Sequence, residues 1–495
     1  MEPAEQPARF NSAEDLLGRV PVHVVWEITL ACNLKCQHCG SRAGRPRPNE
    51  LTTEECLDVV RSLARLGTRE ITLIGGEAYL RNDWTEIVRE IRHHGIYCGV
   101  QTGGRNFTDH RLAEAVAAGL QGLGVSIDGP PELHDTFRGV PGSYAMAIDA
   151  LVRAKAAGLR TSANTTVGAR TIQHLPEILE RIAAAGATHW QLQLTVAMGN
   201  AVDHDDILIQ PYQLRDLMPL LACLYHEGMD RGVLLMLGNN IGYFGPYEHL
   251  WRSYGSEPVP WTPCTAGETV IGLESDGTLK GCPSLSTAGY AGGNVREMPL
   301  EEIWLHSERL RAGKVQSVDD LWGFCRTCYY AEACRGGCTW IADSLFGRPG
   351  NNPYCHYRVL ELEKRGLRER VVKKKDAPQE SFAIGEFTLV TEPIPEQIGG
   401  REPVAAGVPS PQPPPSRIRP AEAGDGLPPS LVLCRACDCF VWPEEVACPH
   451  CGADIAAAAA VWEEDCRRRA GLIADLERMM AEARRQGAGV PAASA

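Results

Sequence analysis

The sequence lacks any long apolar run and any excess of positive charge. No stretch approaches the about 18 consecutive apolar residues that a membrane-spanning helix needs, so we expect no membrane partner. The first residues, Met-Glu-Pro-Ala-Glu-Gln-Pro, carry no basic segment followed by an apolar stretch, so we expect no signal peptide. Lys and Arg number 49 against 62 Asp and Glu, which disfavours nucleic acid because binding to a phosphate backbone depends on clustered basic residues. These absences predict a soluble, cytoplasmic protein.

Cysteine, by contrast, is plentiful, with 19 residues in a chain of 495. In a small secreted protein this number would indicate disulfides, but here we expect reduced thiols that bind metal. A domain takes about 100 to 200 residues, so the chain is long enough for a large core and one or two accessory modules.

Short apolar runs alternate with helical patterns between residues 22 and 195. The predicted strands cover residues 22–29, 71–74, 97–101, 122–127, 160–167 and 189–195. The predicted helices cover residues 52–66, 83–94, 109–118, 143–157 and 175–185. This alternation predicts an α/β fold with a parallel sheet, in which the loops that follow the strands emerge at one face and collect functional groups.

Three cysteines directly follow the first predicted strand. Cys32, Cys36 and Cys39 stand at C-x3-C-x2-C, a spacing that is too tight for a disulfide framework but suits three thiolates around one iron–sulfur cube. Three ligands leave the fourth iron without a protein ligand, so a small molecule can chelate it. The spacing therefore indicates a catalytic site. The alternatives are a zinc knuckle or three unrelated reduced cysteines.

This motif, with His38 before its last cysteine, resembles the signature of the radical S-adenosylmethionine (radical SAM) enzymes. The resemblance implies a partial (β/α)6 TIM-like barrel and a catalytic [4Fe-4S] cluster whose unique iron binds the methionine moiety of S-adenosylmethionine. It also implies that the reduced cluster cleaves this cofactor to a 5′-deoxyadenosyl radical. The cofactor supplies the reactivity, and the protein orients it.

Further motifs follow the next strands at the same predicted face. Gly75-Gly76-Glu77 resembles the family's Gly-Gly-Glu, which holds the methionine amino group, although a common turn is the alternative. Gln101-Thr102-Gly103-Gly104 stands where relatives often show Thr-Asn-Gly, so Thr102 is a cofactor-binding candidate.

After the fourth strand, Ser126-Ile127-Asp128-Gly129 resembles the family's Ser-Leu-Asp-Gly region. Ser126 and Asp128 are expected to meet the ribose or the methionine carboxylate. Arg138 is expected either to pair with a carboxylate bidentately or to lie on the surface. Asn164, Gln191 and Gln193 are polar candidates that face inward from the fifth and sixth strands.

A second cysteine array follows the predicted barrel and resembles the SPASM domain of radical SAM enzymes that mostly modify peptides or proteins. Its residues are Cys264, Cys282, Cys325, Cys328, Cys334, Cys338 and Cys355. The resemblance implies two auxiliary iron–sulfur clusters, an outer one on Cys325, Cys328, Cys334 and Cys355 and an inner one on Cys264, Cys282 and Cys338. The inner site is one thiolate short, so another residue completes it or one iron stays open to substrate. Zinc binding is the alternative for this array.

One departure from relatives narrows the expected chemistry. In sulfatase-maturing relatives an aspartate that serves as a base follows the second of these cysteines, whereas this chain has Pro283. Proline cannot accept a proton, which disfavours formylglycine formation.

Composition changes near residue 376, and the Pro-rich stretch of residues 403–429 is predicted to be a flexible spacer. Cys434, Cys437, Cys448 and Cys451 then form two closely spaced knuckles, which predict a short zinc ribbon, with Cys439 as an alternative ligand and an iron site as the alternative metal. An amphipathic helix is predicted over residues 455–486. The predicted domains are an N-terminal extension (1–20), the barrel (21–235), the auxiliary-cluster domain (236–372), a linker (373–430), the ribbon (431–456) and the helix with its tail (457–495).

The function expected from this resemblance is that of a peptide maturase. Such an enzyme cleaves S-adenosylmethionine reductively, takes hydrogen from a peptide carbon, and forms a cross-link or oxidises a residue with help from the auxiliary clusters. The expected partners are a peptide, a separate protein that presents it, and a low-potential donor such as flavodoxin or ferredoxin. The alternatives are a haem-type tetrapyrrole enzyme and a non-catalytic iron–sulfur electron carrier.

Overall fold

The computed structural model describes residues 8–252, 258–395 and 431–487. Two compact units share these residues. The first contains residues 8–243 and 261–395, and the second contains residues 244–252, 258–260 and 431–487. No helix among the described residues has both the length and the apolar character needed to cross a membrane.

The first unit is built on a sheet of ten strands. In chain order they are β1 (His23–Glu27), β2 (Glu70–Ile74), β3 (Tyr97–Thr102), β4 (Gly122–Ser126), β5 (Arg160–Val167), β6 (His189–Leu194), β7 (Leu234–Leu237), β8 (Val270–Leu273), β9 (Thr278–Lys280) and β10 (Ala291–Asn294). Their order across the sheet is β10-β9-β8-β1-β2-β3-β4-β5-β6-β7. All neighbours from β8 to β7 are parallel, and β9 and β10 are antiparallel additions. The α/β fold with a parallel sheet is confirmed.

Helices connect the parallel strands. In chain order the α-helices are α1 (Ala13–Gly18), α2 (Thr53–Arg65), α3 (Trp84–His93), α4 (Asp109–Ala117), α5 (Pro131–Arg138), α6 (Ser143–Ala156), α7 (Leu175–Ala184), α8 (Asn200–Asp203), α9 (Leu214–Asp230), α10 (Glu248–Arg252), α11 (Thr287–Tyr290), α12 (Leu300–His306), α13 (Ala331–Cys334), α14 (Thr339–Phe346), α15 (His356–Glu363) and α16 (Ile455–Gly487). Helix α2 shows how the sequence sets these elements: Thr52 and Glu55 form a capping box at its start, and its buried residues recur at helical spacing.

Strands β8, β9 and β10 were not predicted from the sequence, and β8 pairs in parallel with β1. A buried charge network accompanies this pairing. Arg47 lies 3.0 Å from Glu27 of β1 and 3.5 Å from Glu274, which directly follows β8, and Lys280 of β9 lies 2.7 Å from Glu274. Burial raises the pKa of Glu27 to about 7, against the opposing charge of Arg47. The two cysteine-bearing regions of this unit therefore share one sheet.

Residues 367–393 form a hairpin in which β11 (Leu367–Lys375) pairs antiparallel with β12 (Glu386–Pro393). The composition predicts a linker at residues 373–430, but β12 lies inside that range. The run Phe387-Thr388-Leu389-Val390-Thr391 explains the difference, because aromatic and β-branched residues favour strands. The rest of the predicted linker, residues 396–430, lies outside the described residues.

The second unit contains a short hairpin and a long helix. Strand β13 (Val432–Leu433) pairs with β14 (Phe440–Val441), and α16 follows. The buried side chains around the hairpin are those of Cys434, Val441 and Cys448, with Cys437 and Ile455 packed against them. The tail is therefore a small cysteine-centred module followed by a helix, as predicted.

Candidate functional site

The cysteines of the C-x3-C-x2-C motif lie on the loop that follows β1, at the carboxyl end of the strand. Two amides of this loop donate to the last two carbonyls of α5, at 2.9 and 2.8 Å, and hold the loop in place. All three thiols are half-buried. The pKa of Cys32 is raised to about 12 and that of Cys36 to about 11. Burial is the main cause, and the neighbouring cysteines act in the same direction. The three thiols thus lie within electrostatic reach of one another, as a shared metal site requires.

Gly75 and Gly76 lie against the backbone of this loop. A Cβ on Gly76 would lie 2.2 Å from the carbonyl oxygen of Ala31 and 2.7 Å from the Cβ of Cys32. A Cβ on Gly75 would lie 2.2 Å from the carbonyl oxygen of Thr29. Glycine is therefore needed at both positions for β2 to deliver the next residue, Glu77, beside the cysteine loop.

The carboxylate of Glu77 is buried beside the end of β3. The Thr102 hydroxyl donates to it at 2.5 Å and the Gly103 amide at 2.7 Å. Burial raises the pKa of Glu77 to about 7, and its charge raises the pKa of Cys32. A carboxylate can accept about four hydrogen bonds, so Glu77 keeps the capacity to accept from an ammonium group near the cysteines.

Asp128, Arg138 and Cys36 form a buried chain of charged and polar contacts. The Arg138 guanidinium lies 2.5 Å from an Asp128 oxygen, and it donates to the Cys36 sulfur at 3.6 Å. Burial acts to raise the pKa of Asp128, but the charges of Arg138 and His38 hold it at about 2. Arg138 is buried rather than at the surface, and the carboxylate that it pairs with is that of Asp128.

Asn164 leaves one acceptor for a ligand. Its side-chain amide donates to the Gln101 side chain, while its Oδ1 is buried with no hydrogen-bond partner in the described structure. Ser126 lies on the neighbouring strand in register with Asn164 and is half-buried. Gln193 is exposed, and Gln191 lines a small cavity near the amino ends of the strands, so neither belongs to the cysteine site.

Sequence reasoning missed the segment after β6, which also holds the cysteine loop. The Asn200 side chain donates to the carbonyl of Cys36 at 2.9 Å, and its amide donates to the carbonyl of Cys39 at 3.0 Å. A Cβ on Gly199 would lie 2.4 Å from the Gly40 carbonyl oxygen. Only the position of Gly199-Asn200 in the sequence could have indicated this role. The pair closely follows a parallel strand, as the recognised motifs do.

The seven cysteines of the second array fall into two groups. The pKa of Cys282 is raised to about 11 and that of Cys338 to about 12. Burial is the main cause, and Cys264 acts in the same direction on both. The pKa values of Cys328 and Cys334 are likewise raised by burial and then by Cys325 and Cys355. These interactions separate a group of three from a group of four, along the division that the resemblance implied.

The group of three has an exposed edge. The exposed Asn239 donates its side-chain amide to the Cys264 sulfur at 3.6 Å. No fourth thiol accompanies Cys264, Cys282 and Cys338 in these electrostatic interactions.

Cys434, Cys437, Cys448 and Cys451 bring their sulfur atoms within 4.8 Å of one another. The Cys434–Cys451 and Cys437–Cys448 sulfur pairs are 3.9 and 3.7 Å apart. A tetrahedral ion with metal–sulfur bonds of about 2.3 Å sets its ligand sulfurs about 3.8 Å apart. The four thiols therefore fit a single metal ion, and the alternative ligand Cys439 is not in this set.

The backbone around these thiols repeats itself. The amides of Asp438 and Gly452 donate to the carbonyls of Cys434 and Cys448 at 2.9 and 2.8 Å. Both donors follow the second cysteine of a knuckle, and both have positive φ, 56° and 77°. Two similar turns thus present two thiols each.

Comparisons with known proteins agree with this geometry. Residues 26–182 match the radical SAM superfamily, and residues 264–329 match the SPASM iron–sulfur cluster-binding domain. The chain carries a radical SAM domain followed by a SPASM domain. The radical SAM match spans β1 to α7, and the SPASM match begins at Cys264 and includes four of the seven auxiliary cysteines. Radical SAM proteins are enzymes, and their cofactors are S-adenosylmethionine and iron–sulfur clusters.

Relatives of two kinds resemble this chain. AdoMet-dependent heme synthase of Nitratidesulfovibrio vulgaris is 28% identical over 353 residues, which cover 68% of this chain and 93% of that protein. Mycofactocin maturase MftC of Mycolicibacterium smegmatis is 29% identical over 341 residues, which cover 68% of this chain and 82% of that protein. The crystal structure of Streptococcus suis SuiB bound to S-adenosylmethionine aligns with a TM-score of 0.53 at 15% identity, over 68% of this chain and 76% of that one. The SuiB likeness supports the fold.

Three features of the amino-terminal site fit these cofactors. Three grouped thiols leave coordination for a chelating ligand, Glu77 can accept from an ammonium group, and the Asn164 oxygen is a buried acceptor without a protein partner. The residues present therefore suit a cluster and a small polar cofactor at this face.

Proposed function

We propose that the protein is a radical SAM peptide maturase that abstracts hydrogen from a peptide carbon and then cross-links or oxidises the peptide. The observation that carries this proposal is the division of seven half-buried cysteines into groups of three and four in the same unit as the three-thiol loop. Oxidising a substrate releases electrons, and two auxiliary clusters supply acceptors for them. The likeness to a mycofactocin maturase supports a peptide substrate.

Under this proposal each residue of the amino-terminal site has a role. Cys32, Cys36 and Cys39 hold the catalytic cluster, and Glu77 accepts from the amino group of S-adenosylmethionine, with Thr102 orienting its carboxylate. When bound, cluster and cofactor supply the hydrogen-abstraction chemistry. Arg138, held by Asp128, places a positive charge against the sulfur of Cys36. Ser126 and the unpartnered Asn164 oxygen would be available to the remaining polar groups of the cofactor.

Gly75 and Gly76 contribute to this arrangement through the space that they leave. They allow β2 to approach the loop closely enough to place Glu77 near Cys32. We include both glycines with the cofactor-binding residues for that reason.

The group of Cys264, Cys282 and Cys338 is the place where the substrate meets an auxiliary cluster. It has three thiols, and Cys264 lies beside the exposed Asn239, so a donor from outside, such as a peptide thiolate, can reach it. Cys325, Cys328, Cys334 and Cys355 hold the second auxiliary cluster. A low-potential donor such as flavodoxin or ferredoxin supplies the first electron, and a separate protein presents the peptide.

We assign a structural zinc ion to Cys434, Cys437, Cys448 and Cys451. Tetrahedral spacing supports one ion with four protein ligands, which leaves no open position for chemistry. Zinc is distinguished from iron by metal analysis, because a four-thiolate iron site is coloured and redox-active whereas zinc is neither.

The decisive experiment supplies a short peptide encoded beside the gene to anaerobically reconstituted protein. We expect 5′-deoxyadenosine formation to rise on addition of the peptide, together with a mass change in that peptide. Deoxyadenosine production that no such peptide stimulates and that leaves every peptide unmodified would contradict the assignment. Replacing Glu77 by Gln should weaken both readouts together.

The likeness to AdoMet-dependent heme synthase favours a second candidate, oxidation of a tetrapyrrole. Both candidates use hydrogen abstraction followed by electron removal, so the cysteine groups suit either. Titration with an iron porphyrin separates them. A shift of the Soret band together with porphyrin-stimulated deoxyadenosine release supports the tetrapyrrole, and peptide-only stimulation supports the maturase.

A further inference from the structure

Tyr243 connects the two groups of auxiliary cysteines. Its hydroxyl accepts a hydrogen bond from the amide of Cys338, in the group of three, at 3.1 Å. Its carbonyl oxygen accepts from the thiol of Cys355, in the group of four, at 3.7 Å. A single residue thus contacts a cysteine of each group, one through its side chain and the other through its main chain.

The side chain of Tyr243 is fixed on several sides. It is fully buried, and its hydroxyl also donates to the carbonyl of Asn239, whose side chain contacts Cys264. Its ring packs edge-to-face on Trp261, with centroids 4.8 Å apart. A Cβ on Gly337 would lie 3.1 Å from the ring, so glycine before Cys338 admits this contact.

The main chain of Tyr243 adopts a conformation that bulky residues avoid. Its φ is 77°, in the left-handed region where an aromatic residue is strained. The surrounding contacts hold it there, since the amide of Tyr357 donates to the Tyr243 carbonyl at 3.2 Å. Such strain persists where the structure over-determines a position and frequently marks a functional one.

Trp261 provides a matching contact on the other group. Its indole nitrogen donates to the carbonyl of Cys334 at 3.3 Å. The edge-to-face pair therefore contacts the backbone of both groups. The Tyr243 hydroxyl contacts Cys338, and the Trp261 indole N–H contacts Cys334. Hydrogen bonds around cysteine ligands tune the reduction potential of an iron–sulfur cluster.

We propose that Tyr243 is a positioning residue that sets the placement and reduction potential of the inner auxiliary cluster relative to the outer one. Its hydroxyl fixes the backbone of Cys338, while its carbonyl, which stays in place in any side-chain variant, accepts from the amide of Tyr357, two residues after Cys355. This inference rests on the proposed assignment of the auxiliary cysteines to two clusters.

The test compares Tyr243→Phe with Trp261→Phe in a background without Cys32, Cys36 and Cys39, where the catalytic cluster cannot contribute signal. Iron content and electron paramagnetic resonance spectra are recorded during a redox titration. We expect Tyr243→Phe to change the reduced-to-oxidised ratio of the inner cluster about fivefold at a fixed potential, the effect of about one hydrogen bond, with the outer signal unchanged. Trp261→Phe should shift only the outer cluster.

The remaining outcomes decide the question. Loss of about four irons from Tyr243→Phe with the outer signal kept also supports the proposal, because it places the effect at the inner site. Unchanged spectra, an effect on the outer cluster alone, or equal effects on both clusters would overturn it. If the parent background itself shows no auxiliary iron–sulfur signal, the cluster assignment fails instead, and Tyr243 is not the cause.

Discussion

The amino-terminal and carboxy-terminal cysteine sites both use thiol ligands, but they suit different purposes. In the tail, four sulfurs lie within 4.8 Å of one another, and two similar turns supply them. On the loop after β1, three thiols are held by α5, by Gly76 and by Asn200, and the buried Glu77 carboxylate lies near Cys32. The first arrangement closes around an ion, whereas the second leaves coordination and hydrogen bonds for a small molecule. The number of thiols and the polar groups beside them separate a structural site from a reactive one.

The largest effect should come from removing the open site. A variant with Cys32, Cys36 and Cys39 replaced by alanine should lose about four irons per chain and produce 5′-deoxyadenosine only at background level, because the catalytic cluster has no other ligands. Metal analysis and chromatography of the reaction measure both quantities. Tail zinc should stay at the wild-type level. Full turnover in this variant would remove the contrast between the two sites.

Disrupting the closed site should have the reverse result. Cys448→Ala should lose the zinc ion and open the module to proteolysis, since structural zinc contributes folding energy directly. Deoxyadenosine formation should remain within about twofold of wild type. Cys466→Ala is the matched control, because Cys466 lies on α16 outside the four-thiol set and its loss should leave zinc bound. Zinc retained by Cys448→Ala would contradict the tail assignment.

A smaller effect should follow from breaking the buried charges beside the open site. Arg138→Met leaves the buried Asp128 carboxylate with His38, 3.6 Å away, in place of its closer arginine partner and should lower the free energy of unfolding by about 3 to 5 kcal/mol. Adding Asp128→Asn should restore part of that loss. Anaerobic urea denaturation measures all three proteins. The control is Arg231→Met, which removes an exposed pair with Glu227 and should cost less than about 1 kcal/mol; equal losses in Arg138→Met and Arg231→Met would show that burial is not the cause.

The smallest effect is a pH dependence of cofactor binding. The pKa of Glu77 is about 7, so the carboxylate is mostly protonated at pH 6 and mostly ionised at pH 8. Only the ionised form attracts the ammonium group of S-adenosylmethionine, which itself loses its proton near pH 8, so affinity should fall about fourfold from pH 8 to pH 6. Isothermal titration across this range measures it. Glu77→Gln should bind weakly with a flat pH profile, and a wild-type profile equally flat would exclude Glu77 from the interaction.

Local patterns predicted much of the fold but not its long-range pairings. The six predicted strands reappear as β1 to β6, because each is a short run of strand-favouring residues set between predicted helices or loops. Strands β9 and β10 are only three and four residues long, and β10 contains two glycines, so neither shows an alternating pattern. The pairing of β8 with β1 joins residues about 250 positions apart, and nothing in either segment alone specifies it.

The same limit applies to the site. Spacing identified the cysteines and Glu77, because each follows a predicted strand. It did not identify Asn200, whose role depends on the path of the loop that it contacts. It also left Arg138 between a carboxylate partner and the surface, whereas the fold buries its guanidinium against Asp128 and Cys36.

The ladder between β1 and β8 bears on how this protein can be re-engineered. Residues 23–26 of the first strand are registered against residues 270–273, and the charges of Glu27, Arg47, Glu274 and Lys280 cross the same junction. In a chimaera whose auxiliary domain is replaced from a point before β8, β1 would lose the hydrogen bonds of its partner strand. The buried Glu27 carboxylate would also lose the neighbouring charges of Glu274 and Lys280. A junction placed after β10 would keep the β1–β8 pairing and its buried charges within one parent sequence. The auxiliary-cluster region should therefore be exchanged together with the strands that precede its last cysteines.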